Sequence, residues 1–125
     1  MKKDKCLCEA DEVLIFPCSG GSNVGQIAND TAKKLASQGI GGMSCLAGIG
    51  GHISGFAEAT QGVKKVIAID GCPVHCARKT LEHAECPVTI HVVVTDFGIR
   101  KTSDFHLDDK DIEKVVNTVK EKLKK

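Results

Sequence analysis

Short apolar runs alternate with amphipathic stretches along the chain. Val13-Leu14-Ile15-Phe16 reads as a buried strand. From about Ser22 to Gln38, residues Val24, Ile27, Ala28, Thr31 and Leu35 recur at helical spacing, and Gly39 supplies the stop. A weaker, Gly-rich strand is expected near Gly42 to Cys45, and a short helix from about His52 to Thr60. Val66-Ile67-Ala68-Ile69 is the next strand, followed by a helix from Pro73 to about Ala84. Val88 to Thr95, rich in β-branched residues, predicts the last strand. In the final stretch Ile112, Val115, Val116, Val119 and Leu123 fall on one stripe, the signature of a helix that covers a sheet. Asp108, Asp109 and Asp111 stand at its start and Lys120, Lys122, Lys124 and Lys125 at its end, which complements the helix dipole.

Strand then helix, repeated along the chain, predicts an α/β fold. We expect a single three-layer domain with a mostly parallel four-stranded sheet of the Rossmann/flavodoxin-like kind and helices on both faces. The 125 residues leave room for one core only. Residues 1–10 read as an N-terminal tail carrying Cys6-Leu7-Cys8, and residues 11–125 as the domain.

Composition narrows the function classes. With four Phe and no Trp or Tyr, the core is aliphatic, and the base-stacking platforms of single-strand binders are missing. Seventeen Lys+Arg against sixteen Asp+Glu leave a formal net charge of +1, which draws the chain toward neither nucleic acid nor an anionic membrane. The basic N-terminal residues precede no apolar h-region, and the run Val13–Phe16 is far short of the roughly 20 residues that span a bilayer. The expected location is cytoplasmic, with no protein partner indicated.

In a reducing compartment the seven cysteines point to metal or thiol chemistry, since disulfides are rare there and the count is odd. Cys18, Cys45 and Cys72 stand 27 residues apart, each after an expected strand and before an expected helix. In a parallel sheet all three then share the carboxyl edge, where ligands bind, on strands about 4.8 Å apart. Cys76, four residues beyond Cys72, is expected on the same helix face one turn along. Asp70-Gly71-Cys72-Pro73 is expected to end a strand, turn, cap that helix and place Pro73 at its first position. A cysteine there favours the thiolate. The Gly-rich runs Cys18–Gly25 and Ala47–Gly51 let backbone come close. Cys18, Cys45, Cys72 and Cys76 are therefore the expected metal ligands. Each alone could be a buried apolar cysteine; four at one edge, in Gly-rich turns, argue for a shared site.

Cys6, Cys8 and Cys86 fall at the opposite edge and their roles stay open, a second metal site with His83 being one option. His52 and His75 are expected nearest the cysteines, with His75 off the ligand face. Asp96, before Phe97-Gly98, is read first as a turn former and second as an outer acceptor.

Pro17-Cys18-Ser19-Gly20, Cys45-Leu46-Ala47-Gly48, Asp70-Gly71-Cys72-Pro73-x-x-Cys76 and the run Thr95 to Lys101 resemble the DGC-domain proteins. These are small prokaryotic proteins named for their Asp-Gly-Cys motif, whose zinc binding is inferred from their cysteines. The resemblance runs from about Val13 into the C-terminal helix. It implies that the family's four characteristic cysteines correspond to Cys18, Cys45, Cys72 and Cys76, and leaves Cys6 and Cys8 outside the pattern.

Three functions remain. The first is a Zn2+ protein with four thiolates, a donor set suited to tetrahedral zinc. The second is an iron–sulfur protein, because four dispersed cysteines can also hold a [4Fe–4S] cluster. The third is a thiol enzyme of redox or sulfur-transfer type. Val24 is the sixth residue after Cys18, so the Arg of a Cys-based phosphatase loop is missing, and no Cys-x-x-Cys motif occurs. Catalytic residues stay unassigned and enzyme status open.

Overall fold

The computed structural model describes residues 12–125, so the tail carrying Cys6 and Cys8 lies outside the described residues. The strands are β1 (Val13–Pro17), β2 (Gly42–Met43), β3 (Lys65–Asp70) and β4 (Ile90–Val93). Helices α1 (Asn23–Ser37), α2 (Leu46–Gly50), α3 (Phe56–Gln61), α4 (Cys76–His83) and α5 (Asp109–Leu123) connect and follow them. The four strands form one sheet in the order β2-β1-β3-β4, and every pairing is parallel. The register is continuous through the middle, with Leu14 beside Val66 and Phe16 beside Ala68.

Period-two alternation divides the strand residues between two cores. Ile15, Ile67, Ile69 and Val92 pack with Val24, Ile27, Leu35, Ile112, Val115 and Val116 of α1 and α5. Leu14, Phe16, Val66 and Ala68 pack on the other face with Ile49 of α2 and Ala77 and Leu81 of α4, with Phe56 of α3 beside them. The result is the expected three-layer α/β domain. Among the described residues, no helix is long and apolar enough to cross a membrane.

Four local expectations are corrected. The helix expected from His52 to Thr60 begins only at Phe56, as α3, and an unexpected helix, α2, precedes His52; His52 (φ 56°) and Gly55 (φ 94°) separate the two, taking left-handed conformations that no helix propagates through. Helix α2 starts directly after Cys45. A Cβ at Gly48 would lie 2.9 Å from the Phe56 ring, so a glycine there is what lets α3 fold back onto α2. The helix expected from Pro73 begins at Cys76, after a turn that ends in left-handed His75 (φ 59°). The strand expected over Val88–Thr95 is shortened to Ile90–Val93, since Val94–Phe97 tightens into a 3-10 turn before Gly98 (φ 78°). Asp96 belongs to that turn. Finally, the weak strand near Gly42–Cys45 is only two residues long.

Candidate functional site

Strand order 2-1-3-4 puts the topological switch between β1 and β3, where connections leave in opposite directions and a crevice opens. Cys18 follows β1 and Cys72 lies just beyond β3. The Cys18 amide donates to the Ile69 carbonyl at 2.9 Å, so the ladder holds this residue to the last rung. Ser19 (φ 50°) then turns the chain. Gln26 Nε2 braces the turn by donating to the carbonyls of Ser19 (3.3 Å) and Gly20 (3.0 Å). Ser22 caps α1, its Oγ accepting from the Gly25 amide at 3.1 Å.

Two glycines set the geometry around Cys18. A Cβ on Gly71 would lie 2.7 Å from both the Gly25 nitrogen and the Val24 carbonyl carbon. A Cβ on Gly25 would lie 2.5 Å from the Gly20 oxygen. The loop after β1, the start of α1 and the loop after β3 thus meet backbone to backbone, which only residues without side chains allow. This approach brings the amides of Gly20 and Gly71 to the Cys18 sulfur. Burial pushes the Cys18 thiol up from its ordinary pKa; those two amides pull it partly back, and Asp70 and Cys76 add to the rise.

Asp70, the last residue of β3, is 1% exposed. Its Oδ1 accepts from the Ala77 amide at 2.6 Å, and its Oδ2 from the Arg78 amide at 3.2 Å. Oδ2 also lies 2.8 Å from His91 Nε2. Asp70 therefore caps α4, the role expected of the residues around Cys72. Cys72 and Cys76 do not share a helix face: Cys76 opens α4, and Cys72 lies in the turn before it, its carbonyl accepting from the His75 amide at 3.2 Å. The His75 ring packs edge-on against His91, with centroids 4.8 Å apart. A third loop completes the wall. Asn23 holds it through three hydrogen bonds, to the Arg100 carbonyl (2.8 Å), the Thr102 carbonyl (3.0 Å) and the Thr102 amide (2.6 Å). That loop carries Lys101, whose Nζ donates to Cys72 Sγ at 3.4 Å.

Cys18, Cys72 and Cys76 line one cavity of about 150 Å3, together with Asp70, Gly71, Val74, Lys101 and the start of α1. Cys45, exposed just before α2, lines an open groove of about 660 Å3 with Asn29 and Thr80. Cys18 borders both. Three of the four expected ligands thus come together, and the fourth stands across Cys18. Among the described residues, no three His, Cys, Asp or Glu side chains stand at the spacing that one metal ion requires. Cys86 is buried at the other end of α4, where burial and then Glu58 raise its pKa.

Sequence reasoning assigned no role to His91 or Lys101. His91 had a signal, as the lone polar residue in Ile90-His91-Val92-Val93. Lys101 lay within the recognised motif but far from the cysteines along the chain. His52 is not near the cysteines as expected, because α2 carries it away from the carboxyl edge to the side of His83.

Fold and site define a small α/β domain of flavodoxin-type strand order with a cysteine-lined crevice at its switch point. The chain belongs to the DGC domain family, whose model matches residues 14–119. It is similar to the anaerobic and virulence modulator AnvM of Pseudomonas aeruginosa, with 38% identity over 88 residues, covering 70% of this chain and 67% of that protein. No solved structure matches the chain.

Proposed function

We propose that this protein binds a thiophilic metal ion, Zn2+, through Cys18, Cys45, Cys72 and Cys76, and does so in the cytoplasm. The observation that carries this reading is the switch-point cavity, which three of these sulfurs line. The donor set fits the ion, since thiolates suit tetrahedral Zn2+. The surroundings fit as well: the Gly20 and Gly71 amides and the Lys101 ammonium offer N–H groups and positive charge to sulfurs that must give up protons. Cys18 and Cys72 are half-buried and braced, whereas Cys45 and Cys76 are exposed. Loading therefore draws the exposed pair toward the braced pair. A closed thiolate centre has no open position for water, which favours structural, storage or sensing use over hydrolysis. The relative's name, a modulator, supports a regulatory use.

A second reading, an iron–sulfur cluster on the same cysteines, is favoured by one observation: among the described residues, no three of these side chains stand at the spacing that one metal ion requires. Elemental analysis of protein purified without oxygen or added metal separates the two. About one zinc per chain supports the zinc reading, and about four irons per chain replaces it with a cluster. Neither metal overturns both. Cys72→Ser or Cys76→Ser is expected to lose most of the metal while Cys86→Ser keeps it, and full retention in the first two sinks the site assignment.

A further inference from the structure

Helices α2 and α4 lie side by side on one face of the sheet, and the sequence writes the same spacing into both. Cys45 precedes His52 by seven residues, and Cys76 precedes His83 by seven. Both helices leave the carboxyl edge at their cysteine. A Cβ on Gly50 would lie 3.4 Å from Thr80 Cγ2, so the residue five beyond Cys45 is level with the residue four beyond Cys76. The helices therefore run parallel and nearly in register. At their far ends the rings of His52 and His83 meet, with centroids 5.5 Å apart and planes at 63°. Both residues are exposed. His52 holds a left-handed backbone (φ 56°) rarely taken by a residue other than glycine, and its amide is tied to the Ile49 carbonyl at 3.1 Å. Glu58 lines a cavity of about 190 Å3 together with His52.

We propose that His52 and His83 form a second metal site, which takes a divalent transition ion such as Zn2+ or Ni2+ through two imidazole nitrogens. With Zn–N near 2.0–2.1 Å and tetrahedral angles at the ion, two rings that share it sit with centres about 5 Å apart. The observed centroid separation of 5.5 Å is close to that. Imidazole suits zinc and nickel, and Glu58 adds the negative charge that draws a cation to this end of the helices. Among the described residues no third His, Cys, Asp or Glu joins the pair at metal spacing, which leaves the remaining positions to water or to a donor from outside. Such a site exchanges its ion readily, in contrast to a closed thiolate centre. It lies at the opposite end of the α2–α4 pair from the cysteines and does not depend on them.

The test is a Zn2+ titration of the full chain, followed by NMR of its five histidine rings. Once a first equivalent of Zn2+ has filled the cysteine site, the rings of His52 and His83 are expected to shift together and saturate at one further ion, while His75, His91 and His106 stay in place. His52→Gln or His83→Gln should each weaken that ion's binding about tenfold or more and abolish the shift of the remaining partner ring. Cys72→Ser should leave both shifts intact, so failure of the cysteine site and failure of this one are read separately. Unmoved His52 and His83 rings, shifts spread equally over all five histidines, or a His52 shift that survives His83→Gln would each overturn the proposal.

Discussion

On one face of the sheet, α1 and α5 run 15 residues each, capped by Ser22 and Asp108, and bury Leu35, Ile112, Val115 and Val116 completely or nearly so. On the other, α2, α3 and α4 run 5, 6 and 8 residues and carry Cys45, Cys76, His52 and His83 at their ends. Long helices contribute continuous apolar stripes and few termini. Short ones cannot hold together in isolation and depend on tertiary packing, but they multiply the ends at which donors and amides can be presented. The first face stabilises the domain and backs the crevice; the second brings the exposed donors Cys45 and Cys76 to it.

Four substitutions would sharpen or break that contrast. Leu35→Ala, on the stabilising face, is expected to lower unfolding free energy by about 3 kcal/mol through loss of burial and a residual cavity. Its metal content should not change, and a loss of metal in a variant still folded by circular dichroism would break the division between faces. Asp70→Ala, at the boundary, should do both kinds of damage. It leaves two α4 amides and half-buried His91 without their acceptor, for about 2 kcal/mol, and it releases Cys76 from its place beside Cys18. Denaturant melts and zinc content measured on the same sample read the two effects together.

Lys101→Met should leave the melt unchanged and weaken zinc about tenfold in a chelator competition, because only the N–H donor to Cys72 is removed. An unchanged affinity would make Lys101 a bystander. The smallest effect concerns Cys86. Burial raises its folded-state pKa above the ordinary value of 9.0, so the folded state favours the neutral thiol. That contribution is fully present below about pH 9 and is lost as pH rises through the raised value, when the unfolded chain releases the proton more easily. Cys86→Ala should therefore show a shallower fall in metal-free stability above that pH. The fall should not vanish, because Cys18 is shifted in the same direction. A slope identical to the parent's would contradict the assignment.

Much of this was legible in the residue order. α1 and α5 were readable because long amphipathic stripes and their caps are local signals, and β1 and β3 because fully buried strands are apolar throughout. Cys18, Cys45 and Cys72 at one edge followed from parallel topology alone. The Gly-rich face was harder: α2, α3 and the start of α4 are set by His52, Gly55 and His75 in left-handed conformations, and two of those three are histidines that carry no turn signal.

The sequence by itself determined the α/β class, the two-sided burial of the strands and the edge on which the cysteines would appear. Each of these depends on periodicity, which reports only whether a position faces a core. The tertiary structure alone decided that Asp70 holds His91, that Lys101 reaches Cys72 across 29 residues, that Cys45 stands in the groove beyond Cys18, and that His52 meets His83. Those meetings depend on strand order and on backbone approaches as close as that of Gly71 to Gly25. No local pattern carries them, because the groups that meet are separated along the chain and joined only by the packing of the sheet and its helices.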